Sequence, residues 1–465
     1  MFIGRKEELN TLREHLDSPG FELGIIYGQR RIGKTSLILE AVQGHDYIYF
    51  LARESDEREN LAYFTQVMTE KFQPRFPLSF DRFDQLLDAL IDSVKDRPFT
   101  IIIDELPFLE KSYPAILSYL QGASDAAKRE NRPLKILLSG SDVSFMVHLL
   151  ENKGQPLYQR ATFKIHVEPL CFSDAAMMLS GFEDADIIRF LCVFGNRPYY
   201  LEKLNPRQSF EENLLRLCFN PDSILVDAPN VTLPIGYANN SVYLSILVAL
   251  ANHKQRCKDI ASALGIADNA ASTYLLRMLR AEAIEKRQVF RGNRKTVYYE
   301  IRDPFIRFYF RLIRPNLLDI ERRLGPSVFS ANASIVQDIV DRGFEDVVNS
   351  YMDERNAKGL LPGYYHSFQR LTIDRSSLGR PVQIDGLADS LDGKRLLAIE
   401  AKFRNKDVSK EVLDHLRESA SLFSGEYEDT YCYLFSKTGF AANLTELRDD
   451  HVFLVSIRDM IHAEP

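Results

Sequence analysis

Tryptophan is missing from this chain of 465 residues, and cysteine is scarce, with Cys171, Cys192, Cys218, Cys257 and Cys432 the only five. No C-x-x-C pair or Cys/His spacing occurs among them, which excludes a zinc framework and leaves reduced thiols. No apolar run approaches the roughly 18 residues that a membrane span requires, so no membrane partner is expected. The opening MFIGRKEELNTLREHL reads as an amphipathic helix start without a cationic leader, and the expected location is cytoplasmic. Internal repeats and low-complexity tracts are also lacking. Nor is there a surplus of positive charge: 58 Lys and Arg stand against 65 Asp and Glu, a formal charge of −7. That balance excludes coating of nucleic acid by the whole surface and confines such contact to a local basic patch. The length exceeds what one core supports, so roughly two to four domains are expected.

What is present is most specific at residues 24–41, GIIYGQRRIGKTSLILEA. An apolar strand ends at Gly28, a loop runs to Gly33, and Lys34 and Thr35 open an apolar helix, giving G-x-x-x-x-G-K-T. In this spacing the glycines let backbone N–H groups turn inward around a phosphate, and the helix start adds its positive dipole end. The expected cradle is Gly28, Gln29, Arg30, Arg31, Ile32, Gly33, Lys34, Thr35 and Ser36. Lys34 would reach the β- and γ-phosphates and the Thr35 hydroxyl would sit on Mg2+. A nucleoside triphosphate with Mg2+ is therefore the predicted ligand.

Short apolar runs at 21–27, 46–52, 99–106, 134–141 and 161–167 alternate with helical stretches. This pattern indicates the α/β class, with a parallel sheet covered on both faces. Ligands of such sheets bind beyond the carboxyl ends of the strands. There FTIIIDEL places Asp104, expected to hold Mg2+ through water, and Glu105, expected to align the attacking water. A second acid suits a hydrolase and counts against a metabolic kinase; the bland alternative is two solvated acids at a strand end. LLSGS supplies Ser139 and Ser141, which either bond the γ-phosphate or water or simply form a turn. Arg160 stands just before the last strand. It is either a surface arginine or a guanidinium that offsets charge at the γ-phosphate, in its own subunit or a neighbour's. Only action on a neighbour requires a homo-oligomer.

FIGRKEEL, GQRRIGKTSL, FTIIIDEL, LLSGS and PLYQRAT, in that order, resemble the archaeal-type AAA/STAND P-loop ATPases over about the first 200 residues. The resemblance implies ATP as the nucleotide and maps the family's site onto Gly28, Gly33, Lys34, Thr35, Asp104, Glu105 and Ser139 or Ser141. It also sets Phe2 to Arg5 near the adenine. In FGNRPYYL, Asn196 stands where the family's helical lid usually carries a second glycine. The ATPase core is expected over 1–170, and the lid with its proline-rich linker over 171–235.

Helical patterns at 241–251, 257–264 and 268–281, the last entered through Asp268 as a cap, precede two alternating strands around RGNR. Three helices and a hairpin are the winged-helix plan, expected with an aromatic extension over 236–325. Between Lys254 and Lys295 there are ten Lys/Arg and four Asp/Glu. Arg277 and Arg280 on the third helix and Arg291, Arg294 and Lys295 at the hairpin tip are the expected DNA contacts. The alternative for such a module is protein interaction, or a rigid arm.

The last region, 326–465, carries QIDGLADSLDGKRLLAIEAKF. Asp385 is read as ending one strand, with Glu400 and Lys402 on one face of the next and Leu397, Ile399, Ala401 and Phe403 on the other. Paired carboxylates with a lysine can hold Mg2+ and offset charge at a phosphodiester. This D-(x14)-E-x-K arrangement resembles the PD-(D/E)XK nuclease superfamily, and the region looks like the C-terminal domain joined to many archaeal-type ATPases. The resemblance matches Glu345 to the helical acid that completes many such sites. Tyr364 and Tyr365 stand where such domains commonly have tryptophan. Together these motifs predict an ATPase that acts on DNA through a winged helix and a metal-dependent nuclease-like domain. The alternative is an ATP-driven switch whose last domain binds nucleic acid or protein without cleaving.

Overall fold

The computed structural model describes residues 2–95, 97–234, 236–288, 290, 297–373, 378–447 and 449–462. The chain folds as two compact units, one running to Pro169 with a short return at Thr232, the other made of the rest from Leu170 onward. The first unit is built on β1 (Glu22–Tyr27), β2 (Tyr47–Leu51), β3 (Phe99–Asp104), β4 (Leu134–Gly140) and β5 (Phe163–His166). These pair in parallel in the order β2-β3-β4-β1-β5. The continuous apolar runs follow from this topology, because both faces are covered. Ile101 and Ile103 join the core on one face while Ile102 joins the core on the other. Successive side chains of a strand point to opposite faces, so every position in FTIIID is buried. Each such isoleucine contributes about 1.5–3 kcal/mol on burial.

The second unit opens with helices Phe172–Met178, Asp184–Phe194 and Phe210–Cys218, the last entered through a capping box of Ser209 and Glu212. Helices Ser241–Ala251, Cys257–Leu264 and Asp268–Arg280 follow, then the antiparallel pair β6 (Ile284–Gln288) and β7 (Val297–Ile301). Asp268 is not the cap of its helix: Ala267 takes the extended cap conformation at φ −69° and ψ 148°, so the Asp268 carboxylate stands in the first turn. There it meets the positive dipole end as a charge, without bonding a cap N–H.

A 25-residue helix, Ala333–Ala357, ties the second unit together. It crosses helix Asp184–Phe194 at Gly343, where a Cβ would lie 2.7 Å from the Cys192 Cβ. Beyond it come β8 (Gln369–Ile373), β9 (Val382–Asp389), β10 (Arg395–Lys402), β11 (Asp429–Ser436) and β12 (Val452–Ser456). Their order is β12-β11-β10-β9-β8, parallel on the β12 side and antiparallel around β9. Asp385 does not end its strand, since β9 continues to Asp389 and pairs Asp389 with Leu396. The ladder instead stops at Ile399 and Gly386, and beyond that point the Asp385 carboxylate accepts the N–H of Ala401 at 3.0 Å. No helix among the described residues is long and apolar enough to cross a membrane.

Candidate functional sites

The phosphate-loop spacing puts its residues between the end of β1 and the helix Lys34–Ala41. Gly28 and Gly33 adopt positive φ of 156° and 98°, and Arg31 lies at 60° between them. A Cβ at Gly28 would stand 2.3 Å from the Val167 carbonyl oxygen, so only glycine lets the loop leave the sheet here. Buried Arg5 braces the loop from outside, donating to the carbonyls of Ile32 and Glu168 at 2.7 and 2.8 Å. The Lys34 ammonium donates to the carbonyls of Gly28 and Gln29 at 3.0 and 2.9 Å. Gln29, Arg30, Gly33 and Thr35 are half-buried, Ile32 is buried, and Arg31 and Ser36 are exposed.

At the end of β3 the acid pair faces this loop. Thr35 Oγ1 donates to Asp104 Oδ2 at 2.7 Å, Tyr49 OH donates to the same oxygen at 2.8 Å, and the Glu105 N–H donates to Oδ1 at 3.0 Å. Glu105 takes a left-handed backbone, φ 54°, as it opens helix Leu106–Ser112. That twist turns its Oε2 to accept from both the N–H and the hydroxyl of Ser141, at 3.1 and 2.8 Å. Ser141 therefore holds the second acid, while Ser139, fully buried, keeps a hydroxyl with no hydrogen-bond partner among the described residues. A buried orphan hydroxyl beside a glycine loop fits a phosphate oxygen, since an unpaired buried donor is costly. Tyr49 was not anticipated; the signal was two tyrosines, at alternate positions of YIYFL, on one face of an otherwise apolar strand.

Arg160 is brought elsewhere. It precedes β5, where the Thr162 N–H bonds the Leu23 carbonyl at 2.9 Å, near the start of β1. Five strand residues separate Leu23 from Gly28, about 16 Å, so Arg160 lies at the edge of the sheet opposite the phosphate loop of its own chain. Its guanidinium donates to both Asp125 oxygens, at 3.1 to 3.3 Å, and to the Pro156 carbonyl. Of the readings open for Arg160, the parallel topology places it away from its own chain's γ-phosphate, because strand starts lie at the far edge, and leaves the surface arginine and the neighbouring-subunit role.

In the second unit, Asp385, Glu400, Lys402 and Glu345 gather around the gap where β9 and β10 part. Asp385 is 4% exposed. The Lys402 ammonium is bonded to Glu400 and lies 3.7 Å from Asp385 Oδ2. Glu345, from helix Ala333–Ala357, is paired with Arg370 of β8. Burial, and then the Asp385 charge, push both Glu345 and Glu400 up to about 7. Burial works against the charged form of Lys402, but Asp385 and Glu400 outweigh it and hold its pKa above the usual lysine value. The three carboxylates do not close to within 4.8 Å of one another as a triad. The donor set is oxygen-only, which suits Mg2+ or Mn2+ over softer metals. A cleft of about 400 Å³ opens here, lined by Glu400, Lys402, Arg380, Gln383, Glu411 and His415 among others.

Behind Glu345, the next residue joins a half-buried ion network. Asp346 accepts from Arg287 of β6 at 2.7 Å and from Arg307 at 2.8 Å, and Arg287 also pairs with Glu300 of β7 at 2.7 Å. Burial opposes the Asp346 charge, yet the two guanidinium groups hold its pKa far below the carboxylate range. Phe290 also reaches the C-terminal core, its ring edge-on to Phe423 at 5.4 Å. On helix Asp268–Arg280, Ala271, Leu275 and Met278 face inward and Thr273, Leu276, Arg277 and Arg280 are exposed. Arg291, Arg294 and Lys295 lie outside the described residues.

With this geometry in place, comparison with known proteins gives three findings. Residues 2–204 match the family described as an ATPase domain predominantly from Archaea. The chain is 31% identical over 442 residues to an uncharacterised protein of Methanocaldococcus jannaschii, MJECL04, covering 94% of this chain and 96% of that one. The Walker-type ATPase PABY2304 of Pyrococcus abyssi has the same fold over 67% of this chain and 96% of its own, with a TM-score of 0.50 and 19% identity. The five-stranded parallel sheet is thus that of a P-loop ATPase, and the chain belongs to the family of its M. jannaschii relative, with an archaeal-type ATPase domain at its N-terminal end.

Proposed function

We propose that the chain binds ATP with Mg2+ at Gly28 to Ser36, hydrolyses it, and uses the cycle to act on DNA through residues 236–325 as a winged helix and 326–465 as a nuclease-like domain. The observation that carries the first part is the bond from Thr35 to Asp104, with Glu105 beside it. Bound Mg2+ would neutralise charge on the β- and γ-phosphates. Thr35 can donate its proton to Asp104 and keep its lone pairs for the metal. The loop N–H groups and Lys34 hold the phosphates. Because Oε2 of Glu105 is committed to Ser141, Oε1 is the oxygen that meets the attacking water. Replacing Glu105 by Gln keeps the shape but removes the acceptor charge. Phosphate release should fall at least ~100-fold, the scale of a lost general base, while ATP affinity stays within about twofold. A parallel loss of binding would reject Glu105 as the water-aligning acid.

For DNA, the support is the exposed Thr273, Arg277 and Arg280 face and the local basic surplus. Asp385 and Glu400, completed by Glu345, would hold a divalent cation, and Lys402 would offset charge at the phosphodiester that is cut. Nicking of supercoiled DNA with Mg2+ or Mn2+, with and without ATP, for wild type, Asp385→Ala and Lys402→Ala decides this. A second reading has its own support: Glu345 and Glu400 are already neutralised by Arg370 and Lys402. In that reading the last domain binds DNA or protein, and ATP only switches it. No nicking by wild type, with DNA retained in a salt-dependent way, would favour the switch.

A further inference from the structure

Tyr49 belongs to none of the loop, acid-pair or serine motifs, yet its hydroxyl ends on the same oxygen as Thr35. It is placed there by strand alternation. In YIYFL, Ile48 and Phe50 point into one core, and Tyr47 and Tyr49 pack on the other face against the core that contains Leu37 and Ile38. Those two residues belong to the helix that follows the phosphate loop. Register pairs Leu51, not Tyr49, with Asp104. The tyrosine therefore reaches two residues along the sheet, toward the carboxyl edge, and has the side-chain length to do so.

The acceptor count at Asp104 gives this contact a purpose. A carboxylate offers about four lone-pair directions. Thr35 and Tyr49 fill both on Oδ2, and the Glu105 N–H fills one on Oδ1. One direction is left, on Oδ1. The last torsion of an aspartate is broad and sets no orientation by itself, so the donors decide where the open lone pair points. We propose that Tyr49 is a positioning residue for the divalent cation that binds with the nucleotide: by closing Oδ2, it aims the one open lone pair of Asp104 at a single metal-bound water. The inference rests on the placement of the metal at Thr35 and Asp104.

The chemistry of the phenol suits this task. A tyrosine hydroxyl ordinarily loses its proton only at about pH 10, and here it is already placed as a donor to Asp104. Thr35 cannot do the job alone, because a threonine that turns toward the metal holds the carboxylate from one side only. Without the tyrosine, water would take the vacated lone pair and the carboxylate would be free to rotate.

The test is Tyr49→Phe in the full chain, which keeps the ring and its packing. Affinity for a fluorescent ATP analogue is measured in EDTA and across a Mg2+ titration. Tyr47→Phe, on the same face with its ring 5.8 Å from the Lys71 ammonium, is the control. For Tyr49→Phe the Mg2+ midpoint should rise about tenfold, the scale of one hydrogen bond to a charged acceptor, with affinity in EDTA within about twofold. Tyr47→Phe should change neither. A Tyr49→Phe midpoint within about twofold of wild type overturns the inference, and so does an equal fall of affinity in EDTA, which is what lost packing would give. Asp104→Asn separates the two levels: if its midpoint matches wild type, the metal is not at Asp104 and the premise fails. Because the readout is binding, a chain that holds ATP without cleaving it tests the inference equally well.

Discussion

Asp104 in the first unit is oriented by neutral donors, two hydroxyls and a backbone N–H, whereas Glu345, Asp346 and Glu400 in the second unit are held by Arg370, Arg287, Arg307 and Lys402. Neutral donors fix a carboxylate and leave its charge for an incoming cation. Cationic partners cancel that charge before any cation arrives. The first arrangement fits a group that must take up and release a metal–nucleotide complex in every cycle. The second fits a scaffold whose buried acids would be intolerable alone. The same residue type thus keeps its charge free in one place and shares it with cationic neighbours in the other, and the partners decide which.

The largest effect is expected from removing one charge of the Asp346 network. Asp346→Asn leaves Arg287 and Arg307 facing a neutral amide in a half-buried setting, and each of the two hydrogen bonds between charged groups that it weakens contributes about 1.5–3 kcal/mol. Urea unfolding should show the loss, with the later unit destabilised. Replacing Asp346 and Arg307 together by Leu and Met should recover part of it, because Arg287 keeps its carboxylate partners Glu300 and Glu285 and no acid is stranded. A cost below about 1 kcal/mol for Asp346→Asn would mean that water reaches the network and that it is no scaffold.

Acidity gives a smaller and sharper test. Glu345 and Glu400 sit near 7 in the folded chain, above their ordinary values, because of burial and then Asp385. Between the ordinary value and about 7 the native state therefore holds more protons than the unfolded state. Stability then falls as pH rises through this window and levels off above it. The stabilising contribution is complete only below the unfolded value. Between about pH 5 and pH 8 the loss should be a few kcal/mol, at about 1.4 kcal/mol per pH unit for each extra proton held, read from urea midpoints. Glu345→Gln should flatten the slope, and an unchanged slope would place the proton uptake elsewhere.

The two regions also differed in how much of them was legible. The phosphate loop was readable because its chemistry is local: Gly28, Gly33, Lys34 and Thr35 fall within eight residues and the strand and helix around them are apolar. Asp104 and Glu105 followed from the strand they end. Tyr49 was missed since its partner lies 55 residues away and its neighbours read as an ordinary strand. The Arg287 to Asp346 pair spans 59 residues, and neither residue differs locally from a surface charge. At Asp385 the residues were legible and the strand end was not, because β9 runs on through Gly386 with a ladder that one sequence does not reveal.

Arg160 carries the smallest expected effect. The sequence leaves it open between a surface arginine and one at a γ-phosphate, because proximity to a strand does not say which end of that strand it stands at, and in a parallel sheet the two ends are different places. Its guanidinium is about a third exposed and faces Asp125, itself half-exposed. Exposed pairs of this kind contribute about 0–1 kcal/mol, so Arg160→Ala should shift the unfolding midpoint little. In dilute protein, where each chain acts alone, the same variant should hydrolyse ATP at the wild-type rate, because a side chain about 16 Å down the sheet cannot touch its own γ-phosphate. Turnover measured against protein concentration checks this. If wild-type turnover per chain rises with concentration and that of Arg160→Ala stays flat, the arginine serves a neighbouring copy; a loss already present at the lowest concentration would contradict its placement at the far edge.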